Sequence, residues 1–331
     1  MIKENTVFIL GAGASNPYGF PTGEELRTEI IDNYVNDART YIKNNPRIRE
    51  AIKALLPQEL NKAREFVEAF EKSTESIDLF LATTPKFEED GKRAIIFRIL
   101  KAEHDSNFRE KMKNKELDWY SHLFRKIMMK GIYKEEDYKK FNRNEISFIT
   151  FNYDRSLEQI LYENLTNSFK DVPNDELLKK FERIDIIHVF GKVADLDWQN
   201  KESGIEYRRD INFVNIQNLI KNIRTMYEEH ENPELEDAKE LIKNAKRIFF
   251  MGFGYAEENM EILEIPQNIN VYTKVYGTML NFIEEEIERK RNYFIAKTKL
   301  DPEAHKNSAR FKEGFVNTDC VGLLRKFFGD Y

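Results

Sequence analysis

Residues 7–23 read Val7-Phe8-Ile9-Leu10-Gly11-Ala12-Gly13-Ala14-Ser15-Asn16-Pro17-Tyr18-Gly19-Phe20-Pro21-Thr22-Gly23. Four consecutive apolar residues have the length and continuity of a strand buried on both faces, the form that parallel sheets use. The chain then turns on Gly11 and Gly13 with only Ala12 and Ala14 between them. A turn so free of side chains lets a phosphate approach backbone N–H groups, with the Ser15 hydroxyl and a helix N-terminus nearby. A nucleotide diphosphate is the ligand this chemistry suggests. The plain alternative is a tight strand-to-helix turn that holds nothing.

The dinucleotide fingerprint of hydride-transfer enzymes is incomplete. It calls for a small residue three places after the second glycine, where this chain has Asn16. It also calls for an acid at a strand tip about 20 residues on. Asp32 has that spacing but falls within residues 24–41, where Leu26, Ile30, Ile31, Tyr34 and Val35 recur at helical intervals. An ordinary dehydrogenase is not expected.

Working outward, residues 23–144 read as almost wholly helical. Residues 26–35, 48–56, 60–70, 95–100 and 117–129 carry helical periodicity, with breakers at Asn44-Asn45-Pro46, Pro57 and Thr83-Thr84-Pro85. Strands resume at 146–151, 184–189, 247–251 and 269–275, with helices between them, notably 214–227 and 235–244. Each strand ends on polar or glycine residues: Asn152-Tyr153-Asp154, His188 with Gly191, Gly252-Phe253-Gly254-Tyr255, and Gly277-Thr278. Strands alternating with helices imply an α/β protein with a doubly wound, parallel, Rossmann-like sheet and a large helical insertion. Residues 1–23 and 145–331 are assigned to the sheet domain and 24–144 to the inserted module. A ligand is expected across the C-terminal strand ends. Phe315, Leu323-Leu324 and Phe327-Phe328 suggest a C-terminal helix docked on the core or on another subunit.

Among 331 residues, 41 % are apolar, enough for a sizeable core and too many for a disordered chain. The net charge of −6, with both signs mixed, argues against a dedicated nucleic-acid binder. A single cysteine, Cys320, makes a disulfide or a four-thiolate zinc site impossible within the chain, and no two of the five histidines stand at ligand spacing, so no metal is expected. No leader precedes the first strand and no apolar run reaches about 20 residues, so a soluble cytoplasmic protein is expected.

The glycine turn, Asn152-Tyr153-Asp154, His188 with Gly191, and the Gly252-Phe253-Gly254-Tyr255 turn, in that order, resemble the sirtuin superfamily. The closest resemblance is to its bacterial branch of antiphage-defence NAD hydrolases. It covers residues 5–25 and 145–280, with supporting pieces at Gly19-Phe20-Pro21-Thr22-Gly23, Ser76-Ile77-Asp78-Leu79-Phe80-Leu81 and Asn259-Met260.

The resemblance implies that NAD is bound and cleaved at its nicotinamide N-glycosidic bond. Gly11, Ala12, Gly13, Ala14 and Ser15 would hold the pyrophosphate, with Pro21 and Thr22 alongside. Asn152 matches the catalytic asparagine, and Asp154 would hold the loop or contact the nicotinamide side. Gly252, Phe253, Gly254 and Tyr255 would meet the second phosphate or the adenosine ribose, and Thr278 the adenosine end.

The pattern departs from deacetylating sirtuins at the histidine: the position before the glycine is Phe190. His188 lies two residues earlier, and in an extended strand i and i+2 share a face. His188 is therefore expected in the cleft as the base, the alternative being a strand-end histidine satisfied by backbone bonds. Deacetylases of the superfamily also carry a four-cysteine zinc module that one cysteine cannot build, which favours water over an acetyl oxygen as nucleophile. The implied regulator is self-assembly into a homo-oligomer or a HerA-type ATPase partner, with nucleic acid met only through that partner. A non-catalytic NAD or ADP-ribose-binding subunit scaffolding such an ATPase is the competing reading.

Overall fold

A computed structural model describes residues 1–44, 56–106, 118–226, 228, 233–270, 272–297 and 313–329. Six strands form one sheet: β1 (Thr6–Leu10), β2 (Ile146–Thr150), β3 (Asp185–His188), β4 (Arg247–Met251), β5 (Lys274–Thr278) and β6 (Phe315–Val316). All pairings are parallel and the spatial order is β3-β2-β1-β4-β5-β6. This is the doubly wound order, and it reverses direction between β1 and β4, where ligands of such sheets bind. β1 is central and buried at every residue, which is why it reads as an unbroken apolar run. Phe8 stands in register with Phe148 and Phe249 and stacks on both rings, at 5.4 and 5.1 Å.

From Gly23 to Asn144 the described residues form α1 (Gly23–Asn44), α2 (Leu56–Lys72), α3 (Ile77–Thr83), α4 (Glu88–Asp105), α5 (Trp119–His122), a π-helical stretch (Leu123–Met128) and 3-10 segments at Pro85–Phe87 and Glu135–Arg143, with no strand. The predicted helix at 48–56 falls almost wholly outside the described residues. Thr22 and Glu25 form a reciprocal cap on α1: Glu25 N–H donates to Thr22 Oγ1 (3.3 Å) and Thr22 N–H to Glu25 Oε2 (2.7 Å). Leu26, Ile30, Tyr34, Ala38 and Tyr41 form the buried stripe of α1. Pro57 stands in the first turn of α2, where its missing N–H is harmless. Phe66, Phe70, Phe80 and Phe87 cluster beneath these helices, and the apolar core runs without a break from them to the sheet.

The remaining helices are α6 (Ser156–Ser168), α7 (Asn174–Phe181), α8 (Pro233–Asn244), α9 (Glu257–Ile262), α10 (Glu284–Lys297) and α11 (Cys320–Phe328). Three expectations require correction. Residues 214–227 make no α-helix where they are described but separate 3-10 turns at Ile216–Asn218 and Ile220–Asn222, after another at Ile211–Phe213. The Tyr41 hydroxyl donates to the Val214 carbonyl (2.7 Å) and accepts from Ile216 N–H (3.3 Å), so α1 takes backbone groups a helix would have used. β5 begins at Lys274 rather than Ile269 and runs through Gly277, paired with Phe250. Phe315 belongs to β6, not to the terminal helix. That helix, α11, is capped by Asp319, whose Oδ1 accepts from Gly322 N–H (2.7 Å), and docks on the chain's own sheet, with Phe328 stacked on Phe249 at 5.1 Å.

Candidate functional site

At the β1/β4 reversal lies a cleft of about 260 Å3 over the C-terminal strand ends. Gly11, Ala12, Ser15, Pro21 and Thr22 line one side; Asn152, Tyr153 and Asp154 line the floor; Phe253, Gly254 and Glu258 close the other side; Ser76, Ile77 and Asp78 of α3 reach in from the helical segment. Its volume falls just below the range of about 300–1,000 Å3 common for small-molecule sites. The sequence-derived residues therefore converge in part. Gly13, Ala14, Gly252, Tyr255, Thr278 and His188 do not line the cleft.

The glycine turn is bare for a reason other than an open phosphate cradle. Gly11 N–H donates to the Met251 carbonyl (3.1 Å) and Gly13 N–H to the Gly252 carbonyl (3.0 Å), so the β4 turn lies directly against the β1 turn. A Cβ on Gly11 would stand 2.6 Å from the Gly252 oxygen, and one on Gly13 would stand 2.9 Å from it. Ala14 and Ser15 N–H groups close 3-10 turns onto Gly11 and Ala12. The N–H groups of Gly11, Gly13, Ala14 and Ser15 are thus bonded within the protein. The hydroxyl of Ser15 and the open side of Gly11 and Ala12 are what the turn offers the cleft. Thr278 Oγ1 accepts from Gly252 N–H (2.8 Å), a packing role. Tyr255 points away from the cleft, its hydroxyl donating to the Thr278 carbonyl (3.3 Å).

Asn152 is held on three sides. Its backbone N–H donates to Thr150 Oγ1 (3.0 Å), its side-chain Nδ2 donates to Ser15 Oγ (3.2 Å), and its carbonyl faces His188 Nδ1 (2.9 Å). Asn152 Oδ1 is buried and has no hydrogen-bond donor. Asp154 Oδ1 accepts from Ser156 N–H (3.0 Å) and from the Ser156 hydroxyl, fixing the turn into α6. Burial raises the Asp154 carboxyl above the usual range against the pull of those bonds.

His188 is the main correction. Its ring bridges the Asn152 carbonyl and Glu158 Oε1, at 2.9 Å each, and lines a separate polar pocket with Lys192, Lys221 and Arg224. Burial works to raise the Glu158 carboxyl, but His188 and then Lys192 outweigh it and hold the group down at about 2. A carbonyl oxygen and a carboxylate therefore occupy both ring nitrogens within the protein. The ring does not line the cleft, and so is not placed to take a proton from a water bound there. The expectation failed because β3 ends at His188: Gly191 N–H turns back onto the His188 carbonyl (3.0 Å), Gly191 has φ +76°, and Phe190 takes the place in the cleft. Alternation of faces stops where the strand stops.

Several supporting residues escaped the sequence reading. Trp119 Nε1 donates to the Ala14 carbonyl (2.7 Å), and the Tyr120 hydroxyl meets Ser156 Oγ (2.8 Å), so α5 props both the glycine turn and the Asp154 turn. Tyr153 donates to Asp78, which burial raises above the usual carboxylate range. Glu158 carried a readable signal, an acid among Leu157, Ile160 and Leu161 on the buried face of α6. Among the described residues no group of His, Cys, Asp or Glu is placed to hold a metal ion, and no helix is long and apolar enough to cross a membrane. Compared with protein-family models and with curated proteins, the chain matches none.

Proposed function

We propose that this cleft binds NAD and hydrolyses its nicotinamide N-glycosidic bond, giving ADP-ribose and nicotinamide, in keeping with the sirtuin-like motif order. The observation that carries the reading is Asn152 Oδ1, buried without a donor in a residue that lines the cleft. A buried acceptor left unpaired costs about 1–3 kcal/mol, which a donating ligand hydroxyl or water would recover. The ribose hydroxyls and the attacking water of this reaction are such donors. Ser15 fixes the amide from one side and His188 fixes its backbone from the other, so Asn152 arrives already oriented.

The bond from C1′ to the nicotinamide nitrogen breaks with its electron pair passing to the ring, which neutralises the pyridinium charge. Water then adds to an oxocarbenium-like C1′ and loses a proton. Phe151, Phe190 and Phe253 give the cleft apolar walls that limit bulk water. An enzyme that consumes NAD is harmful when unrestrained, which fits a defence effector controlled by self-assembly or by an ATPase partner.

A second reading is favoured by the withdrawn imidazole: a subunit that binds NAD or ADP-ribose without cleaving it. Purified protein incubated with NAD, followed by chromatography for nicotinamide and by calorimetry for binding, separates the two. Release of nicotinamide by the parent chain, reduced about 100-fold or more in Asn152→Ala, is expected. Binding without release establishes the second reading, and absence of both ends both readings.

A further inference from the structure

The withdrawal of His188 leaves the proposed hydrolysis without a group to take the proton of water. Three carboxylates line the cleft: Asp78, Asp154 and Glu258. Asp154 is committed to the Ser156 turn through both the backbone N–H and the hydroxyl. Glu258 lies in the first turn of α9 on the far wall, away from Asn152 and Tyr153. Asp78 differs from both. It sits in the first turn of α3, one residue inside a helix capped by Ser76, whose Oγ accepts from Leu79 N–H (3.3 Å). Tyr153, the neighbour of Asn152, donates to its Oδ1, and among the described residues no other side chain hydrogen-bonds the carboxyl.

We infer that Asp78, carried into the cleft by the helical segment and oriented by Tyr153, accepts the proton of the water that attacks C1′. This rests on the hydrolase reading above. In the step, a water O–H bond breaks, its oxygen forms the bond to C1′ of the departing-nicotinamide ribosyl cation, and the proton passes to the Asp78 carboxylate and then to solvent. Asn152 orients and Asp78 receives, so the pair comes from two parts of the chain more than 70 residues apart in sequence. Support comes from the environment of the carboxyl: burial raises it while the Tyr153 hydroxyl bond pulls the other way. A carboxylate moved up toward neutral pH is a better base than one in water.

Asp78→Asn tests it, because the amide keeps an acceptor for Tyr153 and fills the same space. Nicotinamide release should fall about 100-fold or more, as loss of a general base does, while calorimetric affinity for NAD stays within about threefold and the melting temperature is unchanged. Tyr153→Phe supplies a second readout. Removing the hydroxyl donor should move the acidic limb of the pH–rate profile to higher pH, with Asp154 and Glu258 as the other titrating groups of the cleft. An Asp78→Asn protein that retains more than a tenth of the parent rate, or a limb that Tyr153→Phe does not move, overturns the assignment while leaving the hydrolase reading intact. A parent chain that binds NAD without releasing nicotinamide overturns both.

Discussion

Behind Asn152, the His188–Glu158 pair is largely buried, with side chains 7 % and 2 % exposed. A buried ion pair of this kind adds little over an apolar pair, but removing one member strands the other at a cost of about 3–5 kcal/mol. Its pH signature follows from the carboxyl. The Glu158 group has an ordinary value of 4.5 and is held at about 2 in the folded chain. A depressed value stabilises the fold above the unfolded value and loses that contribution as pH falls through the folded one. Compared with Glu158→Gln in urea titrations, the parent chain should be more stable by on the order of 3 kcal/mol at neutral pH. The gap should narrow between about pH 4.5 and 2. A gap that is constant over that interval would show the pair is not ionised. His188→Ala should lower stability as well, which distinguishes a residue that positions Asn152 from one that only titrates.

At the scale of elements, the two glycines of the β4 turn do opposite jobs. Gly252 has φ +55°, and a Cβ there would meet Ala14 N at 2.0 Å. Gly254 has nothing within 4 Å and opens on the cleft. Left-handed backbone costs a non-glycine residue about 1–2 kcal/mol and overpacking about 1–3 more. Gly252→Ala should therefore lose about 2–5 kcal/mol in denaturant titrations, whereas Gly254→Ala should stay within about 0.5 kcal/mol. If NAD fills the cleft, Gly254→Ala should still weaken its binding, so stability and affinity part company two residues apart.

The sequence showed that both turns needed glycine but not which neighbour demanded it, because turn packed on turn is a tertiary fact. The same limit appears elsewhere. Continuous apolar runs revealed β1, β2 and β4, since burial on both faces needs nothing else. β6 has two residues, too few for any periodicity, and the 3-10 turns at 216–222 exist because Tyr41 in a distant helix bonds their backbone. For the site, the sequence pattern put Asn152 and Ser15 at strand ends, and the fold brings them together at the cleft, 3.2 Å apart. Asp78 stood in a quoted motif without a role, because only the fold brings α3 over the tip of β2.

Across the whole molecule, the helical segment is more than a decoration on the sheet. Arg155, next to Asp154, is fully buried and forks onto Glu103 of α4 through Nε (2.9 Å) and Nη2 (2.8 Å), while also donating to the carbonyls of Asp195, Ile205 and Glu206. Glu103 accepts in turn from Arg208 N–H (2.8 Å). One guanidinium thus joins α4, the β2 tip and the loop after β3, and the apolar core is continuous beneath it. Sheet and helical segment should therefore unfold together. The chain has two tryptophans, one on each side of the division: Trp119 rests on the glycine turn from the helical side, and Trp198 stacks on Tyr162 of α6 at 4.0 Å. Fluorescence of Trp119→Phe and Trp198→Phe proteins, each reporting on one half, should give coincident denaturant transitions once each is referenced to its own circular dichroism curve. Adding Arg155→Met should lower both midpoints together, by the equivalent of about 3–5 kcal/mol, because Glu103 is left charged and buried at the junction. Transitions that separate would mean the helical segment folds on its own, and Asp78, the proposed proton acceptor on α3, would then not be held against Asn152.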